Sequence, residues 1–157
     1  MQMVLPEIVT LDDFNGDAIA YLEDRYALFR NDFVLNKPRF RGMWLGLKKH
    51  PLYDGREASF FHFTHEGRVE SERLPDLARC ERLAWIKFII DNSDDPDLKV
   101  WKKPNGRNDR IFIYHEEESY VLILEDRGSF ILPWTAYLVK YNNVHRGFLK
   151  DYDQYAI

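Results

Sequence analysis

The stretch RIFIYHEEESYVLILEDRGSFILPWTAYLV, residues 110–139, decides the fold of this chain. It contains three runs of β-branched and aromatic residues, which the short polar segments EEE and RG separate. This spacing predicts antiparallel strands joined by hairpins. A fourth strand candidate, LKVWKK at residues 98–103, precedes them across the turn-forming segment PNGRND. Together these segments predict a meander of about four strands.

Outside the meander, the chain predicts helices and one strand pair. Residues 12–34 carry apolar side chains at alternating spacings of three and four, which indicates an amphipathic N-terminal helix. Residues 74–90 predict a second helix that ends near Asn92, and the C-terminal tail predicts a short terminal helix. The aromatic runs at 39–47 and 56–65 flank a turn and predict a hairpin or two neighbouring strands.

The order of these elements predicts the fold class. Strands that follow one another, instead of alternating with helices, are typical of an α+β domain. We therefore expect helices packed on one face of a mostly antiparallel sheet of about five to six strands. A chain of 157 residues has the usual size of one domain, so residues 1–157 are predicted to form a single domain.

Composition and charge exclude several classes of protein. Lys and Arg total 22 against 26 for Asp and Glu, and the net charge of −4 argues against a sequence-blind nucleic-acid coat protein, while it allows a local basic patch. Cys80 is the only cysteine, so neither an intramolecular disulfide nor a cysteine-based metal site can form. No phosphate-loop, zinc or serine-nucleophile motif occurs, and we expect no metal and no cofactor. Because the chain has no signal-peptide pattern and no run of about 18 apolar residues, we expect a cytoplasmic protein with no membrane partner.

The segment FFHFTHEGR at residues 60–68 contains two candidate catalytic histidines. If the segment is a strand, period-two alternation puts His62 and Thr64 on one face and His65 on the other. One imidazole then lies inside the protein. Two interpretations of it stay open: a general acid or base, and a half-buried histidine that only makes a hydrogen bond.

Cationic and hydroxyl side chains elsewhere indicate a candidate anion site. Arg79 and Arg82 lie three residues apart on one face of the second predicted helix, and Arg73 precedes it. Paired guanidinium groups suit a phosphate, but a solvated charged stripe explains them equally well. Thr135 and Tyr137 share a face of the last strand, either as cross-strand partners or as ligands of an anion.

A basic segment surrounds Trp101 in the fourth strand candidate. Single-stranded nucleic acid favours basic groups for its phosphates and an aromatic ring for a base. Lysines that protect a sheet edge from pairing with other chains explain the segment equally well. On the first interpretation, the residues that bind the substrate are Trp101, Lys102, Lys103 and Arg107.

Several of these motifs occur in the order typical of a known superfamily. The chain contains DGREASFFHFTHEG, then RLPDLARCERLAWIKFII, an isolated VW, a basic turn, YVLILED and a final TAYLV. In this order they resemble the phage and mobile-element branch of the barnase, EndoU, colicin and RelE-like nuclease superfamily, across roughly residues 55–140. Members of that branch have a histidine after an aromatic strand, a helix of the type R-x-x-R-[IL]-x-W and a closing strand with T-A-Y. The matching positions here are His62, the run from Arg79 to Trp85, and the run from Thr135 to Tyr137.

The resemblance implies a helix-plus-antiparallel-sheet fold and a metal-independent endoribonuclease, toxin-like or from a phage conflict, that cleaves RNA by attack of the 2′-OH. It implies that His62 is the acid or base, that Arg79 and Arg82 grip the phosphate, and that Thr135 binds a non-bridging oxygen. Tyr137 would stack or act as a donor. The expected partners are RNA and an antitoxin or immunity protein. The competing expectation is a non-catalytic intracellular protein-interaction module, such as an inactive relative with the same fold.

Overall fold

A computed structural model describes residues 2–157 of the chain. Its α-helices are α1 (Ala18–Arg30), α2 (Ala58–Thr64), α3 (Leu77–Glu81), α4 (Leu83–Asp91) and α5 (Asn142–Tyr155). Its strands are β1 (Arg39–Phe40), β2 (Met43–Trp44), β3 (His65–Glu66), β4 (Leu74–Pro75), β5 (Leu98–Asn105), β6 (Asn108–His115), β7 (Tyr120–Asp126) and β8 (Ile131–Leu138). Within the described range, none of the helices has the length and apolar character that crossing a bilayer requires.

Strands β5 to β8 form the main sheet, an antiparallel meander in the order β5-β6-β7-β8. The predicted hairpin-linked strands are therefore confirmed, and so is the α+β class. The sheet has four strands instead of five to six, because β1 and β2 form a separate two-stranded ladder and β3 and β4 form another. Each strand in these ladders is only two residues long.

The two faces of the main sheet pack against different helices. Alternate residues such as Val100 and Leu122 face a core that α1, α2 and α4 complete. The intervening residues, among them Trp101 and Val121, face α5 through Phe148. The helices before the sheet thus lie on one face, as expected, while the C-terminal helix covers the other. Burial of both faces explains why these strands are nearly continuous hydrophobic runs in the sequence.

The N-terminal helix predicted at residues 12–34 is divided into three pieces. A 3₁₀ turn spans Leu11–Phe14, α1 follows it, and a π-helical segment spans Asn31–Leu35. Asn15 and Gly16 separate the first two pieces, with φ values of 55° and 78°. These left-handed values interrupt a right-handed helix. The α-helix therefore begins later than predicted.

The prediction of a strand at residues 56–65 is wrong, because most of this segment is helix α2. All seven residues of α2 are buried, so the segment has no polar face to mark a helical period. Periodicity does not separate helix from strand in such a short buried run. Within α2, the hydroxyl of Thr64 donates to the carbonyl of Phe60, one turn earlier, at 2.8 Å. The alternation argument for His62 and His65 therefore does not apply.

The second helix, predicted at residues 74–90, is divided at Arg82 into α3 and α4. Arg82 has φ −106° and ψ 15°, outside the α-helical range. Asp76 caps α3 by accepting a hydrogen bond from the N–H of Arg79 at 3.2 Å. As a result α3 contacts β8, while α4 packs in the core. The predicted terminal helix is confirmed as α5.

Strand β8 lies at the edge of the sheet and contains a bulge. Consecutive residues of β7 pair with Pro133 and Thr135, so Trp134 is an extra residue in β8. A proline is tolerated here, since edge positions and bulges do not require its missing N–H. The bulge also brings the Trp134 and Thr135 side chains to a cavity beside α2 and α3.

Candidate functional site

A polar cavity of about 250 Å³ lies where α2, α3 and β8 meet, and the segment between β3 and β4 completes it. It brings together five residues that the sequence predicted for the site: His62, Arg73, Arg79, Thr135 and Tyr137. The remaining lining residues are Glu66, Gly67, Glu70 and Trp134. We call this space the polar cavity.

His62 lies on α2 with 5% of its surface exposed. Its Nε2 atom is 2.5 Å from Oε1 of Glu70, and its ring centre is 5.5 Å from that of Trp134. Burial lowers the pKa of His62, and the hydrogen bond with Glu70 opposes this shift. The net direction keeps the imidazole neutral at pH 7. When Nε2–H donates to Glu70, the lone pair of the neutral ring lies on Nδ1, where it can accept a proton.

Glu70 orients His62, although no motif in the sequence indicated it. Its other carboxylate oxygen accepts a hydrogen bond from the hydroxyl of Tyr53 at 2.5 Å. The hydrogen bonds from Tyr53 and His62 lower the pKa of Glu70, so its carboxylate is ionised at neutral pH. The ring of Tyr53 is held by stacking on Phe61, with centroids 4.1 Å apart. Tyr53, Glu70 and His62 therefore form one chain of hydrogen bonds that ends in the polar cavity.

Arg79 is the cation with the most hydrogen bonds in the polar cavity. Its Nη1 atom donates at 3.2 Å to each of three oxygens, the carbonyls of His62 and His65 and the hydroxyl of Thr135. Its guanidinium carbon lies 5.5 Å from the ring centre of Tyr137, within cation–π distance. Among residues 2–157, Nη2 has no hydrogen-bond partner, so this nitrogen is available to an anion.

A second cation, Arg73, lines the polar cavity, and a third, Lys48, lies near one of its walls. Arg73 donates from Nε to a backbone carbonyl of the segment between β3 and β4 at 2.9 Å. Lys48, which the sequence did not single out, has its Nζ 5.9 Å from the ring centre of Trp134. The charge of Lys48 lowers the pKa of His62 and that of Glu70. The ammonium group is therefore close enough to act on both His62 and Glu70.

Carboxylates balance part of this positive charge. Asp76 lies 3.5 Å from Nε of Arg79 and also caps α3. Glu66 lines the cavity directly. Because Asp76 and Glu70 are bound by protein donors, their charge is directed toward those donors. Glu66 is the exposed carboxylate of the cavity.

The last strand contributes two hydroxyl groups. Thr135 is bound to Arg79, as described above. Burial raises the pKa of Tyr137, and the charge of Arg79 opposes this shift. The Tyr137 hydroxyl is therefore protonated at neutral pH and can donate a hydrogen bond or a proton.

Arg82 was expected to grip a phosphate together with Arg79, but it lies outside the polar cavity. Its Nη1 donates to the carbonyl of Ala78 at 3.1 Å and lies 3.3 Å from the carboxylate of Glu81. Its guanidinium also lies over the ring of Trp85. Residues three apart share a face only within a continuous helix, and the helix ends between these two arginines. The predicted guanidinium pair is therefore not formed.

Trp101 was expected to stack on a base, but its ring is fully buried. It stacks on Phe112 with centroids 5.2 Å apart, and Phe148 of α5 covers it. The ring offers no face to a nucleobase, because α5 packs on a face of the sheet for which the sequence predicted no covering helix. Trp101 is a core residue.

The other residues of the basic segment are also distant from the polar cavity, because β5 and β8 lie at opposite edges of the sheet. Lys102 pairs with Asp126 at 2.7 Å, and Lys103 pairs with Asp151 at 3.0 Å. Arg107 is exposed in the turn between β5 and β6. These contacts favour the interpretation of the segment as a protected sheet edge.

His65 has a structural role, and the end of α2 at Thr64, not strand alternation, separates it from His62. Its ring stacks on Phe61 at 4.2 Å, and Nδ1 is 2.8 Å from the hydroxyl of Thr64. Burial lowers the pKa of His65 to about 4. Only its backbone carbonyl takes part in the site, by accepting from Arg79.

Neither metal ligands nor known relatives assign a function to this site. Within residues 2–157, no group of three or more His, Cys, Asp or Glu side chains is arranged to hold a metal ion. The chain was compared with protein-family models, curated proteins and solved structures, and nothing matches it. The geometry of the polar cavity is therefore the basis for a functional assignment.

Proposed function

We propose that this protein is a metal-independent endoribonuclease that cleaves RNA by attack of a ribose 2′-OH on the adjacent phosphate. One observation supports the proposal above all others. A neutral histidine, two arginines and two hydroxyl groups converge on one small polar cavity. General acid–base chemistry at a phosphate needs a proton acceptor, a proton donor and fixed positive charge, and these groups can provide all three.

His62 is the proposed general base. Its Nδ1 takes the proton of the 2′-OH while Glu70 accepts from Nε2–H and stabilises the imidazolium that forms. The 2′-oxygen then forms a bond to phosphorus, and the bond from phosphorus to the 5′-oxygen breaks. The hydroxyl of Tyr137 is the proposed proton donor to that 5′-oxygen. The products are a 2′,3′-cyclic phosphate and a 5′-hydroxyl, and transfer of the proton from His62 back to Tyr137 restores the site.

Arg79 and Arg73 are the proposed phosphate ligands. Each is fixed by a hydrogen bond from its own guanidinium group to backbone carbonyls, so the charge is in position before the substrate binds. Preorganised charge stabilises a pentacovalent phosphate without reorganisation during the reaction. Thr135 is the proposed donor to a non-bridging oxygen, while its own oxygen accepts from Arg79.

RNA is the proposed substrate. Two further parts of the proposal concern the place where the enzyme meets RNA and the partner that restrains it. A cytoplasmic location brings the enzyme to RNA. An antitoxin or immunity protein restrains an activity that would harm the cell that makes it. The competing possibility, a non-catalytic protein-interaction module, predicts the same fold with no cleavage.

The proposal is tested by incubating the purified protein with end-labelled RNA in EDTA. We expect His62→Gln, which keeps a polar side chain beside Glu70, to lower the cleavage rate by about 10²- to 10⁴-fold. His50→Gln is the matched control, because His50 is exposed and lies outside the polar cavity. An oligonucleotide with 2′-deoxyribose at every position should not be cut, and the RNA products should carry cyclic phosphates. Equal cleavage rates for wild type and His62→Gln would contradict the proposed mechanism, whereas no cleavage by folded wild type would favour the interaction module.

A further inference from the structure

We infer that a second cavity, next to the polar cavity, binds an unpaired nucleobase of the substrate by stacking on Tyr141. The inference rests on the proposed function and deepens it, because it makes single-stranded RNA the substrate class. We call this second space the side cavity. It has a volume of about 380 Å³ and lies beside the end of β8 and the start of α5.

The two cavities are contiguous through shared residues. Glu66, Arg79 and Tyr137 line both of them. In a nucleotide chain, a base is separated from its phosphate only by a ribose. A phosphate held by Arg79 in the polar cavity therefore leaves its neighbouring base within reach of the side cavity.

The side cavity combines apolar surface with a polar group, as a nucleobase requires, whereas the polar cavity is lined mainly by polar groups. Leu138, Val139 and Val144 add apolar surface, while Glu66 provides a hydrogen-bond acceptor. A nucleobase has an apolar face and a polar edge with N–H donors, so it matches both kinds of surface. The polar cavity has little apolar surface and suits the phosphate.

Tyr141 is an aromatic side chain suited to stacking. It is 69% exposed, although it carries a large ring and lies at a corner where β8 passes into α5. The corner is fixed, because the N–H of Val139 donates to the carbonyl of Ser119 at 2.7 Å. Lys140 is exposed next to it and can reach a second phosphate. An aromatic ring beside a cation is the arrangement that binds single-stranded nucleic acid, because a base in a duplex has no free face.

The test uses binding, so that it does not depend on cleavage. A fluorescent 2′-O-methyl oligonucleotide lacks the attacking hydroxyl and cannot be cut by the proposed mechanism. Fluorescence anisotropy then gives the Kd for the single strand and for the same sequence in a duplex. We expect Tyr141→Ala to weaken single-strand binding about tenfold, Tyr141→Trp to restore it, and duplex binding to be the same for all variants.

Trp44→Ala is the matched control, since Trp44 is also a large exposed aromatic residue but lies outside both cavities. It should leave the single-strand Kd unchanged. A Kd that Tyr141→Ala does not change, or an equal loss for duplex and single strand, would overturn the inference. If Tyr141→Ala weakens binding but folded wild type never cleaves RNA, the proposed enzymatic function fails while the base site stands.

Discussion

The two edges of the main sheet provide their basic side chains with different partners. At the β5 edge, Lys102 and Lys103 form ion pairs with carboxylates, and Trp101 is buried under α5. At the β8 edge, Arg73 and Arg79 donate mainly to backbone carbonyls, which fix the guanidinium groups, and Asp76 balances only part of their charge. In the sequence, both regions show aromatic residues beside cations. The partner that packing gives each cation is what separates a candidate anion site from a protected sheet edge.

The largest effect on stability is expected from a substitution in β5. Trp101→Ala should lower the free energy of unfolding by about 3–5 kcal/mol, because it empties a fully buried site beneath α5. Urea denaturation measures this loss. Trp44→Ala is the control, since Trp44 is 49% exposed and its truncation should cost less than half as much. Similar losses for the two variants would contradict the placement of Trp101 in the core.

The next effect compares one cation from each edge. Arg79→Ala should lower the free energy of unfolding by about 1–3 kcal/mol, because it leaves the part-buried carbonyls of His62 and His65 without their donor. Lys103→Ala should cost at most about 1 kcal/mol, because it removes a solvent-screened ion pair. Urea denaturation of both variants at the same pH measures the difference. A loss at Lys103 as large as that at Arg79 would remove the distinction between the two edges.

The same contrast explains how much of the fold could be predicted. The meander carries its signal locally, because each strand is a hydrophobic run and turn residues separate it from the next strand. The candidate at 98–103 accordingly lies within β5. The prediction of a strand at 56–65 was wrong because a run buried on all sides has no period that distinguishes helix from strand. The division of the second helix at Arg82 was not predicted because no glycine or proline marks it.

The site was predictable only where a motif carried it. His62, Arg79 and Thr135 belong to the runs on which the superfamily resemblance rests, and they do meet in the polar cavity. Glu70 was missed because it reaches His62 from the segment between β3 and β4, eight residues away. Tyr53 was missed because it reaches Glu70 from a loop seventeen residues away. Neither separation matches a helix or strand spacing. Such contacts are decided by how the loops pack, which sequence patterns do not contain. A carboxylate soon after a candidate histidine was the one available signal.

A smaller effect should appear in the pH dependence of stability. Burial lowers the pKa of His65 from 6.5 to about 4 in the folded protein. Between these values the unfolded chain binds more protons at His65 than the folded protein does. The contribution of His65 to the free energy of unfolding is therefore complete above pH 6.5 and decreases as the pH falls toward 4. His65→Phe should reduce the loss between pH 7 and pH 4 by about 1–2 kcal/mol, as measured by urea denaturation at both values.

The control for this experiment comes from the α5 side of the sheet. Phe112→Leu changes packing there but removes no titratable group, so it should lower stability equally at pH 7 and pH 4. The explanation fails if His65→Phe keeps the wild-type loss between the two pH values. It also fails if Phe112→Leu alters that loss as much as His65→Phe does.

The smallest expected effect is a change in the pKa of His62 near the β8 edge, which tests the hydrogen-bond chain from Tyr53 to His62. NMR titration of the His62 imidazole measures its pKa without any need for RNA. Glu70 raises this pKa, while Lys48 and Arg73 lower it. Glu70→Gln removes the carboxylate, so the pKa of His62 should fall further.

Tyr53→Phe should shift the same titration in the opposite direction. The hydroxyl of Tyr53 stabilises the charge of Glu70, and without it the carboxylate interacts more strongly with an imidazolium. The pKa of His62 should therefore rise, by less than Glu70→Gln lowers it. Lys102→Gln, which breaks an ion pair at the distant β5 edge, should leave the titration unchanged. Shifts of the same sign in Tyr53→Phe and Glu70→Gln would mean that Tyr53 and Glu70 only fill space around His62, because only a hydrogen-bonded chain gives opposite signs.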